Sequence, residues 1–82
     1  MIEENDYLKG ANDLKELAQG VIVGVPILQR KRLQRIAALE LIAEAITLEA
    51  NKEYIYGILD AALMLKLITK KEWLNALKDK AE

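Results

Sequence analysis

Residues 26–50 read PILQRKRLQRIAALELIAEAITLEA, and after Pro26 the stretch contains no glycine or proline. Alanine, leucine, glutamate, arginine and glutamine dominate it, all good helix formers, and proline is tolerated at a first helical turn, where its missing N–H removes nothing. One long helix follows, and the rest of the chain is expected to arrange itself around it. At 100° per residue its faces change along its length. In the first half Leu33, Ile36 and Ala37 share a stripe, with Lys31, Arg32 and Arg35 opposite. Beyond Ala38, Glu40 and Glu44 continue the Leu33 stripe, while Leu39, Ile42 and Ile46 continue the basic one. A plain surface helix keeps one apolar stripe. Two imply contacts on both sides, with its own chain on one and something else on the other.

A chain of 82 residues is one small domain. At that size roughly 60–65% of the unfolded surface is buried, so a single core is marginal. The chain has no cysteine and no histidine, which removes disulfides and makes a zinc site a poor expectation. A hydrophobic fraction of 52%, with four glycines and one proline, is far from a disordered composition. The net charge of −1 gives no bulk attraction to nucleic acid or membrane, so any such attraction has to be local. Met1 is followed by Glu3, Glu4 and Asp6 rather than a basic leader, and the apolar stretch 20–28 is only nine residues, too short to span a bilayer. These features lead us to expect a cytoplasmic protein with no membrane span.

Residues 1–6 are acidic and expected to fray. Tyr7, Ala11, Leu14, Ala18 and Val21 then follow helical spacing, with Leu17 beside them and Gly20 as the stop. Gly10 is expected to weaken the early turns by up to ~1 kcal/mol, and Asn12 or Asp13 offers a cap for a shorter version. Residues 20–28, GVIVGVPIL, are ambiguous: the β-branched run favours an extended chain, and Pro26 pushes Val25 out of the helical region. An extended segment here would need a partner strand from a second copy, as in ribbon-helix-helix repressors, but its alternate positions lack the polar side chains that read DNA. A buried connector or a last helical turn is the simpler expectation. Thr47 or Asn51 can cap a third helix over about 51–67, in which 12 of the 15 residues 54–68 are apolar, so that it must be buried on most sides.

The chain closes with the clearest local signal. Thr69 is an N-cap with Glu72 three positions on, Ile68 before it and Trp73 after, the pattern of a capping box with a hydrophobic staple. A fourth helix then runs to about Lys80 with Trp73, Leu74, Ala76 and Leu77 inward. Ile-Thr followed by Lys-Glu-aromatic-aliphatic occurs in 46–59 and again in 68–77, with spacers of different length, which reads as repeated helix-start chemistry. The segment from Lys66 to Trp73 also resembles the short oligomerisation hairpins called SHOCT modules, whose motif runs Gly-x-Ile-Thr-x-x-Glu-aromatic. Lys66 stands where that motif has glycine, and the hairpin that carries the motif covers barely a quarter of the chain. The resemblance implies a helical hairpin that associates.

Catalysis finds little support: histidine, cysteine and serine are all absent. Glu40 and Glu44 lack the accompanying histidine of a di-metal helix and read as a solvated stripe. The run GVIVG lacks the Lys-Ser/Thr of a phosphate loop. We therefore expect no enzyme, no cofactor and no metal. Two candidate surfaces remain. Arg30, Lys31, Arg32 and Arg35 place cations at a helix start, against its dipole, where phosphates or protein carboxylates would answer them. Leu39, Ile42, Ile46, Tyr56, Leu63 and Met64 exceed what four short helices cover, since 10 of the 13 residues 36–48 are apolar, and apolar excess of this kind marks an interface. The expectation is an all-α, irregular four-helix bundle with one long central helix and a C-terminal helical hairpin. It acts as a homodimeric protein-interaction module of the adaptor, inhibitor or assembly-factor kind, the rival being a small DNA-binding regulator.

Overall fold

The computed structural model describes residues 5–20 and 24–81, with side chains placed through Lys78. Among these residues there are four helices and no strand: α1 (Asp6–Gly20), α2 (Ile27–Thr47), α3 (Lys52–Met64) and α4 (Lys70–Ala81). None of them is long and apolar enough to cross a membrane. The stretch 21–23, whose extended or helical state the sequence leaves open, lies outside the described residues. After it Gly24 turns the chain at a φ of 76°, and Pro26 leads into α2.

Three of the four helix starts, those of α1, α3 and α4, are set by side chains. Asn5, expected to fray, instead caps α1: its Oδ1 accepts from the Tyr7 N–H at 2.8 Å. Asn51 does the same for α3, accepting from the Glu53 N–H at 2.9 Å. At α4 the capping box closes in both directions, the Glu72 N–H donating to Thr69 Oγ1 at 3.1 Å and the Thr69 N–H to Glu72 Oε1 at 2.9 Å. Each of these satisfies N–H groups that a helix start otherwise leaves unpaired.

The ends of α2 and α3 share one design. Glu49 (φ 53°) and Lys66 (φ 61°) sit in the left-handed region just past their helices. In each case the next two N–H groups fold back onto the last turn: Glu49 to Ile46 O and Ala50 to Ala45 O, Lys66 to Leu63 O and Leu67 to Ala62 O. This is the Schellman arrangement, which usually has glycine at the left-handed position. Lys66 therefore adopts the backbone conformation that glycine would favour at that point. The turn stops α3 at Met64, earlier than apolar content alone suggests, and lets Leu67 and Ile68 fold under as buried residues.

The core is organised around α3, not around the long helix. Ile55, Ile58, Leu59, Ala61 and Ala62 of α3 are all buried, and α3 packs against each of the other three helices. Its most extensive contact is with α1, where Leu14 and Ala18 join the same core. There Gly10 is a requirement rather than a weakness. A Cβ on Gly10 would collide with the backbone carbonyl of Tyr54, and one on Gly57 with that of Tyr7. The two backbones touch where neither carries a side chain.

Within this chain helix α2 turns one face towards the core, and only its second half is buried there. Ala38, Ile42 and Ala45 are its buried residues, and the same stripe runs back through Arg35 and Lys31. These basic residues point at the protein instead of away from it. Lys31 Nζ donates to Leu65 O at 3.1 Å, Arg35 Nη1 to Leu67 O at 3.0 Å, and beside them Gln34 Nε2 to Ala18 O at 3.2 Å. Long polar side chains thus do in the first half of α2 what apolar ones do in the second, by reaching carbonyls at the ends of α1 and α3. The stripe expected to be covered is the open one: Ile36 is 44% exposed and Leu33 is exposed beside it. On α4, Trp73, Ala76 and Leu77 pack on the core as expected, but Leu74 is 50% exposed and faces outward.

Candidate functional site

Three places concentrate side chains with chemistry to offer. The first is a groove of about 420 Å3 between α2 and α4, lined by Leu39, Ile42, Ala43, Ile46 and Thr47 on one side and by Glu72, Asn75 and Ala76 on the other. Three residues expected at an interface, Leu39, Ile42 and Ile46, are brought together here. Ile42 is only 7% exposed and belongs to the core of its own chain, so it forms the groove floor; Leu39 and Ile46 are half-buried. The other three are dispersed. Tyr56 lines a different cavity, Leu63 is half-buried against the core, and Met64 is 75% exposed at the end of α3.

The second place is the basic start of α2. Arg30 Nε donates to Val25 O at 3.0 Å, and Lys31 is tied to Leu65 O. Arg35 is the most constrained of the four. Besides Leu67 O, it grips Glu72 with both terminal nitrogens, at 2.9 Å to Oε1 and 2.6 Å to Oε2. The guanidinium, and after it the Thr69 N–H, holds the Glu72 carboxyl down at about 2, and the same bond raises the Arg35 pKa. Among the described residues, only Arg32 of the four has no hydrogen-bond or ion-pair partner.

The third place was not anticipated as a site. Tyr7 OH donates to Asp60 Oδ2 at 2.6 Å, and Trp73 Nε1 donates to Asp60 Oδ1 at 2.8 Å, so that α1 and α4 meet on one carboxylate of α3. Across the glycine contact the relationship is reciprocated: Tyr54 OH donates to Asp13 Oδ2 at 2.6 Å. Each helix gives a tyrosine to the other's aspartate, in a local twofold exchange centred on Gly10 and Gly57. Burial, and then the bond to Asp13, pushes the Tyr54 hydroxyl up to about 12; the bond to Asp60 raises Tyr7. At the Asp60 end a cavity of about 370 Å3 opens, lined by Tyr7, Tyr56, Asp60, Trp73 and Leu77.

The signal for this third place lies in the sequence as Tyr-x-x-Gly-x-x-Asp, present at 7–13 and again at 54–60. Read for core periodicity, Tyr7 looks like one more apolar residue of a stripe and Asp60 like an interruption of one. Glu40 and Glu44 are both exposed, as a solvated stripe would be.

No protein-family model, curated protein or solved structure matches this chain, so its sites are read from their own chemistry.

Proposed function

We propose that the chain is a small non-enzymatic module that works through protein–protein contact, packed as an irregular four-helix bundle with α3 and α4 as a hairpin. We propose further that it forms a homodimer through the groove between α2 and α4. The observation that carries this reading is the groove itself: an open trough with Leu39, Ile42, Ala43 and Ile46 along its α2 side and the polar Thr47, Glu72 and Asn75 at its edges. Apolar side chains elsewhere add to it, since Leu28 is 95% exposed, Ile27 and Met64 75% and Leu48 70%. Concave apolar troughs of this kind accept a helix of a partner, and a symmetric pair of copies is the commonest closed solution. The absence of histidine, cysteine and serine supports a binding role over a catalytic one.

Ala43 provides the test, because it lines the groove yet is exposed in the single chain, whereas the buried Ile42 would report on folding instead. Light scattering should give twice the chain mass for the wild type, and the single mass for Ala43→Glu at unchanged helicity. A wild type that stays at the single mass up to its solubility limit removes the dimer.

The rival, a DNA-binding regulator gripping phosphates with Arg30, Lys31, Arg32 and Arg35, rests on the clustering of these four at one helix start. It has less support, because three of them already hold carbonyl or carboxylate groups of their own chain. Duplex DNA that fails to shift at low salt would eliminate it.

A further inference from the structure

We propose that the cavity where α1, α3 and α4 meet binds a methylated organic ammonium group, seated among Tyr7, Tyr56 and Trp73 with Asp60 as its counter-charge. Of the five described residues that line it, three are aromatic, one is a carboxylate and none is basic. Its volume of about 370 Å3 lies at the lower end of the ~300–1,000 Å3 typical of small-ligand sites. Asp60 is half-buried and held by two neutral donors, Tyr7 OH and Trp73 Nε1, while the one ion pair among the described residues lies elsewhere, between Arg35 and Glu72. Among the described residues no cation pairs with this carboxylate.

The chemistry narrows the ligand. An anion would be repelled by Asp60, and a neutral apolar molecule would cover the carboxylate without compensating its charge. A hard metal ion needs several oxygen ligands, and the lining offers one carboxylate and phenol groups. A guanidinium prefers both carboxylate oxygens in a two-toothed grip, but here each already accepts a bond. A methylated ammonium asks for no hydrogen bond. It presents diffuse positive charge on an apolar surface, which aromatic rings attract and a nearby carboxylate reinforces. Tyr56, whose hydroxyl has no partner among the described residues, is the ring left free to serve a ligand. This cavity shares no lining residue with the groove between α2 and α4, so the inference stands apart from the proposed dimer.

Trp73 is the only tryptophan in the chain, so its fluorescence reports directly on the cavity. The intact protein is titrated with choline, with a trimethyllysine peptide, and with 3,3-dimethylbutanol, the uncharged isostere of choline. Saturable change with choline supports a free ammonium ligand, and saturation by the peptide alone supports the same group carried on a chain. The isostere should bind about tenfold more weakly, and Tyr56→Leu should weaken the ammonium probe by a similar factor while circular dichroism stays unchanged. No saturation with either ammonium probe overturns the proposal, as does equal binding of the uncharged isostere. Should Asp60→Asn unfold the chain by removing one of its two acceptor oxygens, the Tyr56 variant and the isostere still decide the matter.

Discussion

Gly10 and Gly57 mark the point at which the backbones of α1 and α3 meet, each lying where a Cβ would strike the carbonyl of the other helix's tyrosine. Glycine inside a helix ordinarily costs stability. Here it permits the close approach of α1 and α3 and, through it, both tyrosine-to-aspartate bonds.

The sign of a glycine-to-alanine change should therefore invert at these positions. In an ordinary helix interior the change gains up to ~1 kcal/mol, whereas Gly10→Ala or Gly57→Ala should lose about 2–3 kcal/mol, because backbone must move to admit the methyl group. Gly20→Ala, at the last residue of α1, is the control without a clash, since nothing among the described residues lies within 4 Å of its Cβ. Urea unfolding of the three variants measures this, and a gain at Gly10 or Gly57 would contradict the packing described.

At the left-handed positions the opposite substitution should help. Lys66→Gly and Glu49→Gly, at φ 61° and 53°, should each stabilise by about 0.5–1 kcal/mol, the relief of the left-handed strain exceeding the extra freedom of the unfolded chain. The two lie at different helix ends, so their effects should add in a double variant. Denaturant midpoints at constant slope are the measurement, and Lys66→Val should fall on the other side of wild type.

The pairing of Arg35 with Glu72 predicts a specific acid response. Glu72 is held at about 2 against an ordinary 4.5, so its contribution is complete above about pH 4.5 and is lost as pH falls towards 2. Thermal midpoints across that window should drop more steeply for the wild type than for Glu72→Gln or Arg35→Met. Equal slopes in all three would mean that the pair contributes nothing to stability. Both side chains are partly open to solvent, so added salt should reduce the difference.

Tyr54 predicts the alkaline side. Its hydroxyl, ordinarily 10, is raised to about 12, so the stability it contributes is present below pH 10 and is lost as pH rises from 10 to 12. Tyr54→Phe should remove that loss while costing about 1–2 kcal/mol at neutral pH, because Asp13 is left without its donor. Ultraviolet titration should find Tyr54 ionising at about 12, and an ordinary titration would count against its burial and its bond to Asp13.

What the sequence determined by itself was the class of fold and the local punctuation of its helices. Asn51, Thr69 and Glu72 announce helix starts because a cap acts over two or three positions, so both partners stand side by side in the chain. The apolar run of α3 likewise required burial wherever it lay. Tertiary structure alone decided which helix sits at the centre, which face of α2 turns inward, and why Gly10 is there. Tyr7 meets Asp60 across 53 positions, Tyr54 meets Asp13 across 41 and Arg35 meets Glu72 across 37. At such separations a tyrosine in an apolar stripe and an arginine on a polar one carry no mark of their partner. Only the close approach of two bare glycine backbones, and of a helix flank to the carbonyl ends of its neighbours, turns them inward.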